Sequence, residues 1–271
     1  MARLSINELT TYRWSFEEDV THYAQAGIAA IGVWRQKLSD YGEEKGIELL
    51  SESGLAVSNL LWAGGFTGSD GRTYRDAVED GKRAVQLAAE MKAGCLIVYS
   101  GGRAGHTANH ARRLLTGALG EIAPLAEEHG VTLALEPMHP GCAAEFTFLT
   151  SLDETLSLID SLNTNCVKLA FDTYHLCQNG MSQNGTFERL AEIAPRVAVV
   201  HLGDSRKPPD GEQNRCALGW GTLPLAEIVA ALKQGGYDGY YDVELMGEEI
   251  ESVDYLKLIE ESKAACEKLL A

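Results

Sequence analysis

The chain has 271 residues, a formal net charge of −16 and 45% hydrophobic residues, a composition that suits a globular core needing no disulfide or metal to fold. So acidic a chain argues against a nucleic-acid partner, which would draw on clustered Lys and Arg. No apolar run approaches the roughly 20 residues that span a bilayer. The six cysteines (Cys95, Cys142, Cys166, Cys177, Cys216 and Cys266) form no CxxC pair and no short-spaced His/Cys cluster, which argues against a structural zinc module. The opening MARLSINELTTYRWS lacks the apolar core of a signal peptide, so a reducing cytoplasm is the expected location.

Apolar, β-branched runs then alternate with amphipathic stretches. A strand is predicted at 2–7, followed by the helical SFEEDVTHYAQAG. Strands at 28–34 and 55–62 precede YRDAVEDGKRAVQLAAEMKAG. The strand at 95–100 runs into SGGRAGH and then ANHARRLLTGALGEIAPLAEEHG. Strands follow at 131–136, 167–172 and 197–202, then the helix LPLAEIVAALKQGGY, a strand at 239–245 and a closing helix over about 252–270. Several helices end in Gly, the usual C-cap residue. SGGRAGH lacks GxGxxG spacing and follows the fourth strand, so it is expected to be a loop and not a dinucleotide site. Strands alternating with helices imply a parallel sheet. Eight units without a linker imply one domain over 1–271, a single (β/α)8 barrel.

In such a barrel, chemistry belongs at the C-terminal ends of the strands. There the fifth strand, VTLALEPMHP, carries Glu136. The sixth, KLAFDTYHL, ends in Asp172 with His175 just beyond. The seventh, VAVVHLGDSR, holds His201, and the eighth, YYDVELMG, holds Glu244. Burying these groups separately would cost several kcal/mol each, so they are expected to share a ligand or neutralise one another. Three carboxylates and one imidazole suit a hard-to-borderline divalent cation.

ALEPMHP, LAFDTYH, VVHLGDSR and DVELMG, in this order, resemble the sugar isomerase/epimerase superfamily with the xylose isomerase-like barrel. That superfamily includes ketose 3-epimerases, hydroxypyruvate isomerases, inosose dehydratases and isomerases, and a related AP endonuclease branch. The resemblance implies Glu136, Asp172, His201 and Glu244 as ligands of one divalent ion. Manganese is the first expectation, with magnesium, cobalt or zinc as alternatives. It implies that His175 faces the substrate and that Arg206 contacts a substrate hydroxyl or carboxylate. Asp204 is expected to orient His201 from behind. LGWGTLP (218–224) is similar to the family's Gly-x-Gly turn and is read as backbone geometry. Trp34 and Trp62, ending strands two and three, read either as an apolar wall against a sugar or as plain core, whereas His106 and His110 read as solvated loop residues.

The chemistry this implies is isomerisation or epimerisation of a sugar, keto-polyol or related hydroxy-carbonyl compound. It runs through a metal-stabilised enediolate, with Glu136 and Glu244 exchanging protons on opposite sides of the substrate. A keto-polyol dehydratase shares the first step and is an alternative. A metal-dependent phosphodiester hydrolase is disfavoured by the acidic charge and by the lack of an Asp-x-His pair after His201. A silent binding protein on the same barrel would show no bound divalent ion. The expected partner is a small carbohydrate, with no nucleic acid and no membrane; a homo-oligomer is expected by analogy alone.

Overall fold

A computed structural model of the chain describes residues 3–177 and 186–271. Eight parallel strands close a barrel: β1 (Arg3–Asn7), β2 (Ala30–Trp34), β3 (Ala56–Gly64), β4 (Leu96–Tyr99), β5 (Leu133–Leu135), β6 (Val167–Asp172), β7 (Val197–Leu202) and β8 (Tyr240–Val243). Each pairs with its sequence neighbours, and β1 closes on β8, as a right-handed strand–helix repeat requires. All eight strands match predicted runs. The ends of β5 and β8 are shorter than expected, so Glu136 and Glu244 fall one residue past their strands. Their backbone N–H groups still bond across, to Val98 O and Leu202 O.

Side chains alternate across the sheet with the strand period of two. Outward residues such as Ile6, Ile31, Leu60, Leu133, Leu169, Val200 and Val243 pack in the main core. Inward residues Leu61, Ile97, Ala134, Ala170 and Val199 form a separate inner cluster. The helices start as their sequences direct. Ser15 and Glu18 make a reciprocal capping box on Phe16–Gln25, and Thr107 caps Ala108–His129, which ends on left-handed Gly130. SGGRAGH is irregular backbone, as expected of a loop. No helix among the described residues is long and apolar enough to cross a membrane.

Under the first two strand ends lies a buried ion pair. Lys37 Nζ donates to Asp19 Oδ2 at 2.6 Å and to the carbonyls of Glu8 and Thr11 at 3.1 and 3.0 Å. Asp19 is fully buried, so deleting its partner strands a charge. Lys37→Met is expected to cost about 3–5 kcal/mol, measured by urea unfolding. A loss below about 1 kcal/mol would show the pair to be dispensable.

Candidate functional site

Three local features bring the site together at the C-terminal end of the barrel. First, β6 and β7 pair so that Asp172 stands opposite His201, with both side chains turned inward. Second, Glu136 and Glu244 arrive from β5 and β8 on either side. Glu136 Oε1 lies 3.2 Å and Glu244 Oε2 3.1 Å from the same atom, His201 Nδ1. Third, Asp172 is also the N-cap of the short helix Thr173–Leu176, accepting from the backbone N–H of His175 at 3.1 Å. That cap explains the D-x-x-H spacing: one turn of helix sets His175 beside the strand end. All five residues are buried.

The cation that holds these acids together, Arg215, carries no mark in the sequence. In the loop after β7, Asp204–Ser205 and Arg215–Cys216 form a two-stranded antiparallel ribbon, which drives Arg215 into the site with no exposed side chain. Its guanidinium donates to Asp172 Oδ2 at 3.0 Å, Glu212 Oε2 at 3.0 Å and Glu244 Oε1 at 3.2 Å. It also lies over the Tyr174 ring, 4.2 Å from its centroid. Burial would raise the Asp172 carboxyl, but Arg215, with His175 and His201, holds it below its ordinary value. Burial, only partly offset by His201 and Arg215, pushes Glu244 up to about 8. Burial also opposes charge on His201, yet Glu136 and Glu244 carry that imidazole to about 10. Burial acts against charge on all three groups, and the neighbouring charges decide where it is overcome.

Arg206, expected at the substrate, instead lies on the outside. Its half-exposed guanidinium pairs with Glu249 at 3.0 Å and donates to Trp220 O. Asp204 does not reach His201 either. Its carboxylate accepts from the backbone N–H groups of Ser205, Gly219, Gly221 and Leu223, pinning the LGWGTLP turn. A Cβ at Gly221 would come within 1.9 Å of Asp204 Oδ1, so glycine is required there. The carboxylate that faces His201 Nε2 is Asp242, 3.9 Å away.

Trp34 and Trp62 are half-buried and stacked, 6.5 Å between ring centroids at 19°. Tyr12 continues the stack on Trp34, and Tyr99 and Phe146 meet Trp62 edge-on. The two indoles therefore belong to one aromatic wall that also packs on the inner cluster. His110 contacts Arg113, and His106 is half-buried against Thr67 O; neither contact reaches the acidic group.

The donor set fits a divalent ion. Glu136, Asp172 and His201 each offer a ligand atom within 4.8 Å of the others, and Glu244 touches the same imidazole nitrogen. Glu136 Oε2 is buried without a hydrogen-bond partner among the described residues, which a cation would satisfy. Through space, Cys142, His175 and Glu212 also approach one another within 4.8 Å, a grouping the sequence spacing hid. Arg215 Nη2 stands 3.0 Å from Glu212 and 3.5 Å from His175, so a second ion there would face a guanidinium.

A family model described as a xylose isomerase-like TIM barrel matches residues 20–269. The D-psicose 3-epimerase of Enterocloster bolteae is 30% identical over 121 residues, 45% of this chain and 36% of that protein. An inosose isomerase of Halalkalibacterium halodurans is 25% identical over 138 residues, 49% of this chain and 46% of that one. The matched stretch thus spans less than half the length of either relative. The crystal structure of protein SMc04130 from Sinorhizobium meliloti 1021 superposes with a TM-score of 0.89 at 27% identity, over 98% of both chains.

Proposed function

The chain belongs to the xylose isomerase-like TIM barrel family, and from that membership we propose that it is a divalent-metal-dependent isomerase or epimerase of a ketose or keto-polyol. Glu136, Asp172, His201 and Glu244 would hold the ion. When bound, it supplies Lewis-acid stabilisation of negative charge developing on substrate oxygens. The observation that carries the reading is the convergence of Glu136 and Glu244 on one nitrogen of His201 from strands that are not neighbours.

Two carboxylates so placed can address opposite sides of a substrate lying between them. One removes the proton from the carbon beside the carbonyl, leaving an enediolate. The other returns a proton to the opposite face of that carbon, inverting it, or to the neighbouring carbon, which moves the carbonyl as the hydroxyl proton passes to the former carbonyl oxygen. His175 and Arg215 offer hydrogen-bond donors to substrate oxygens, with Arg215 taking the role first expected of Arg206. Trp34 and Trp62 offer an apolar surface to the C–H face of a sugar. Arg215 beside His175 also weighs against a phosphodiesterase needing further metal ions at that place.

The test is a screen of ketoses, inososes and keto-acids with Mn2+ in deuterated water, following deuterium uptake at carbon. Uptake beside the carbonyl is expected with at least one polyhydroxy ketone. No uptake with any of them, from a protein shown to bind the ion, would sink the proposal.

Trp34→Ala is expected to raise KM for that substrate about tenfold, roughly the effect of one lost aromatic contact of 1–1.5 kcal/mol. Trp34 sits between Tyr12 and Trp62 and is not deep in the core, so its unfolding midpoint should move little. An unchanged KM with a steep loss of stability would reassign the indole to packing.

A further inference from the structure

Below the convergent acids the barrel interior changes character. On the β3–β7 side it is filled by Leu61, Ile97, Ala134, Ala170 and Val199, the apolar packing usual for this fold. On the side of β8, β1, β2 and β3 it is polar. Asp242 is fully buried there, and its Oδ2 accepts from Asn7 Nδ2 and Asn59 Nδ2, both at 2.8 Å. Asn59 also donates to Ser58 Oγ, which lies 2.6 Å from Ser5 Oγ. Asn7 reaches on to Glu244 Oε2 at 3.3 Å. Room for this cluster comes from β2: a Cβ on Gly32 would sit 2.4 Å from Asp242 Oδ2 and 3.0 Å from Asn7 Nδ2.

A carboxylate in the middle of a barrel is costly, and here two amides and a missing side chain are arranged around it. Its orientation suggests why. Asp242 pairs in register with His201, and its Oδ2 is 3.9 Å from Nε2, the nitrogen opposite the one that Glu136 and Glu244 approach. His201 Nε2 and Asp242 Oδ1 are both buried without a hydrogen-bond partner among the described residues.

We infer that Asp242, clamped by Asn7 and Asn59 in the space left by Gly32, is the positioning residue that aims Nδ1 of His201 at the ion. The contact is longer than a hydrogen bond and acts as an electrostatic guide: a negative group behind Nε2 favours an N–H there and leaves Nδ1 as the binding nitrogen. Backing of this kind supports metal-bound imidazoles in general. The inference rests on the proposed divalent-ion site. It goes beyond that proposal in assigning the orientation of one ligand to a set of residues that touch neither ion nor substrate.

The experiment uses the full chain freed of metal by chelation. Mn2+ is titrated calorimetrically into the parent, Asp242→Asn and Asn59→Ala. Each protein is then loaded with Co2+, and the shifted N–H proton resonance of a coordinated imidazole, which disappears in D2O, is recorded by NMR. Asp242→Asn is expected to weaken Mn2+ binding about 10–100-fold and to move or broaden the N–H resonance, while the unfolding midpoint changes little. Asn59→Ala keeps the carboxylate but loosens its clamp. It should weaken binding in the same direction by a smaller factor, and it decides the matter if the Asp242 variant does not fold. Parental Mn2+ affinity and an unchanged Co2+ spectrum in the folded variants would reduce the cluster to a polar filling of the barrel. A parent that binds neither ion would instead overturn the divalent-site proposal, and this inference with it.

Discussion

Glu136→Gln and Glu244→Gln are each expected to lower solvent proton exchange into a confirmed substrate by at least the roughly 100-fold typical of lost acid–base catalysis. Glutamine keeps the length of glutamate and one oxygen donor but cannot take a proton at neutral pH. Ion binding should therefore weaken less than exchange does. The two carboxylates stand 3.2 and 3.1 Å from His201 Nδ1, close enough to the proposed ion to be ligands as well as bases. Measuring exchange at saturating Mn2+ separates the roles. If both variants exchange near the parental rate, proton transfer does not pass through these glutamates, and His175 becomes the leading base.

The second large effect concerns Arg215, whose role lies in the charge balance. Arg215→Met is expected to destabilise the protein by about 3–5 kcal/mol at pH 7, the usual cost of stranding buried charge. It leaves Asp172, Glu212 and Glu244 facing one another without their guanidinium. The pH dependence has a definite sign. Against burial, Arg215 holds the Asp172 carboxyl below its ordinary value. In the parent, that pair's stabilisation is present above the unfolded value, near pH 4, and is lost as pH falls through the lower folded value. The gap between parent and variant should thus be widest at neutral pH and shrink in acid. Added Mn2+ should recover part of the loss by binding the folded state. Urea unfolding at pH 7 and at about pH 2–3, with and without Mn2+, reads all three; a loss under about 1 kcal/mol at pH 7 would refute the account.

The barrel and four of its central residues were legible from sequence because both depend on local periodicity. Apolar runs of strand length mark the wall, and in a parallel barrel every strand delivers its last residue to the same end. Glu136, Asp172, His201 and Glu244 needed no knowledge of pairing to be placed together. Even Asp242 carried a signal: in YYDVELMG it stands two residues before Glu244, so the strand period turns both to one face.

Arg215 had no such mark. Arg206 and Arg215 lie in one aperiodic loop, and local pattern cannot say which turns inward. The ribbon that pairs Ser205 with Arg215 decides it, sending Arg215 among the acids and leaving Arg206 to Glu249. The partner of His201 was decided in the same way. Asp204 is nearer in sequence, but its carboxylate is taken up by four backbone N–H groups of the turn it anchors. Asp242 comes from the strand that happens to pair with β7. Local residue patterns along the chain set the elements, their order and the end of the barrel where acids would meet. The direction of each loop side chain, and which buried carboxylate each cation and imidazole faces, was set by pairing between distant segments. Hydrogen bonds across a ribbon or a strand register fix those directions, and residue spacing along the chain does not encode them.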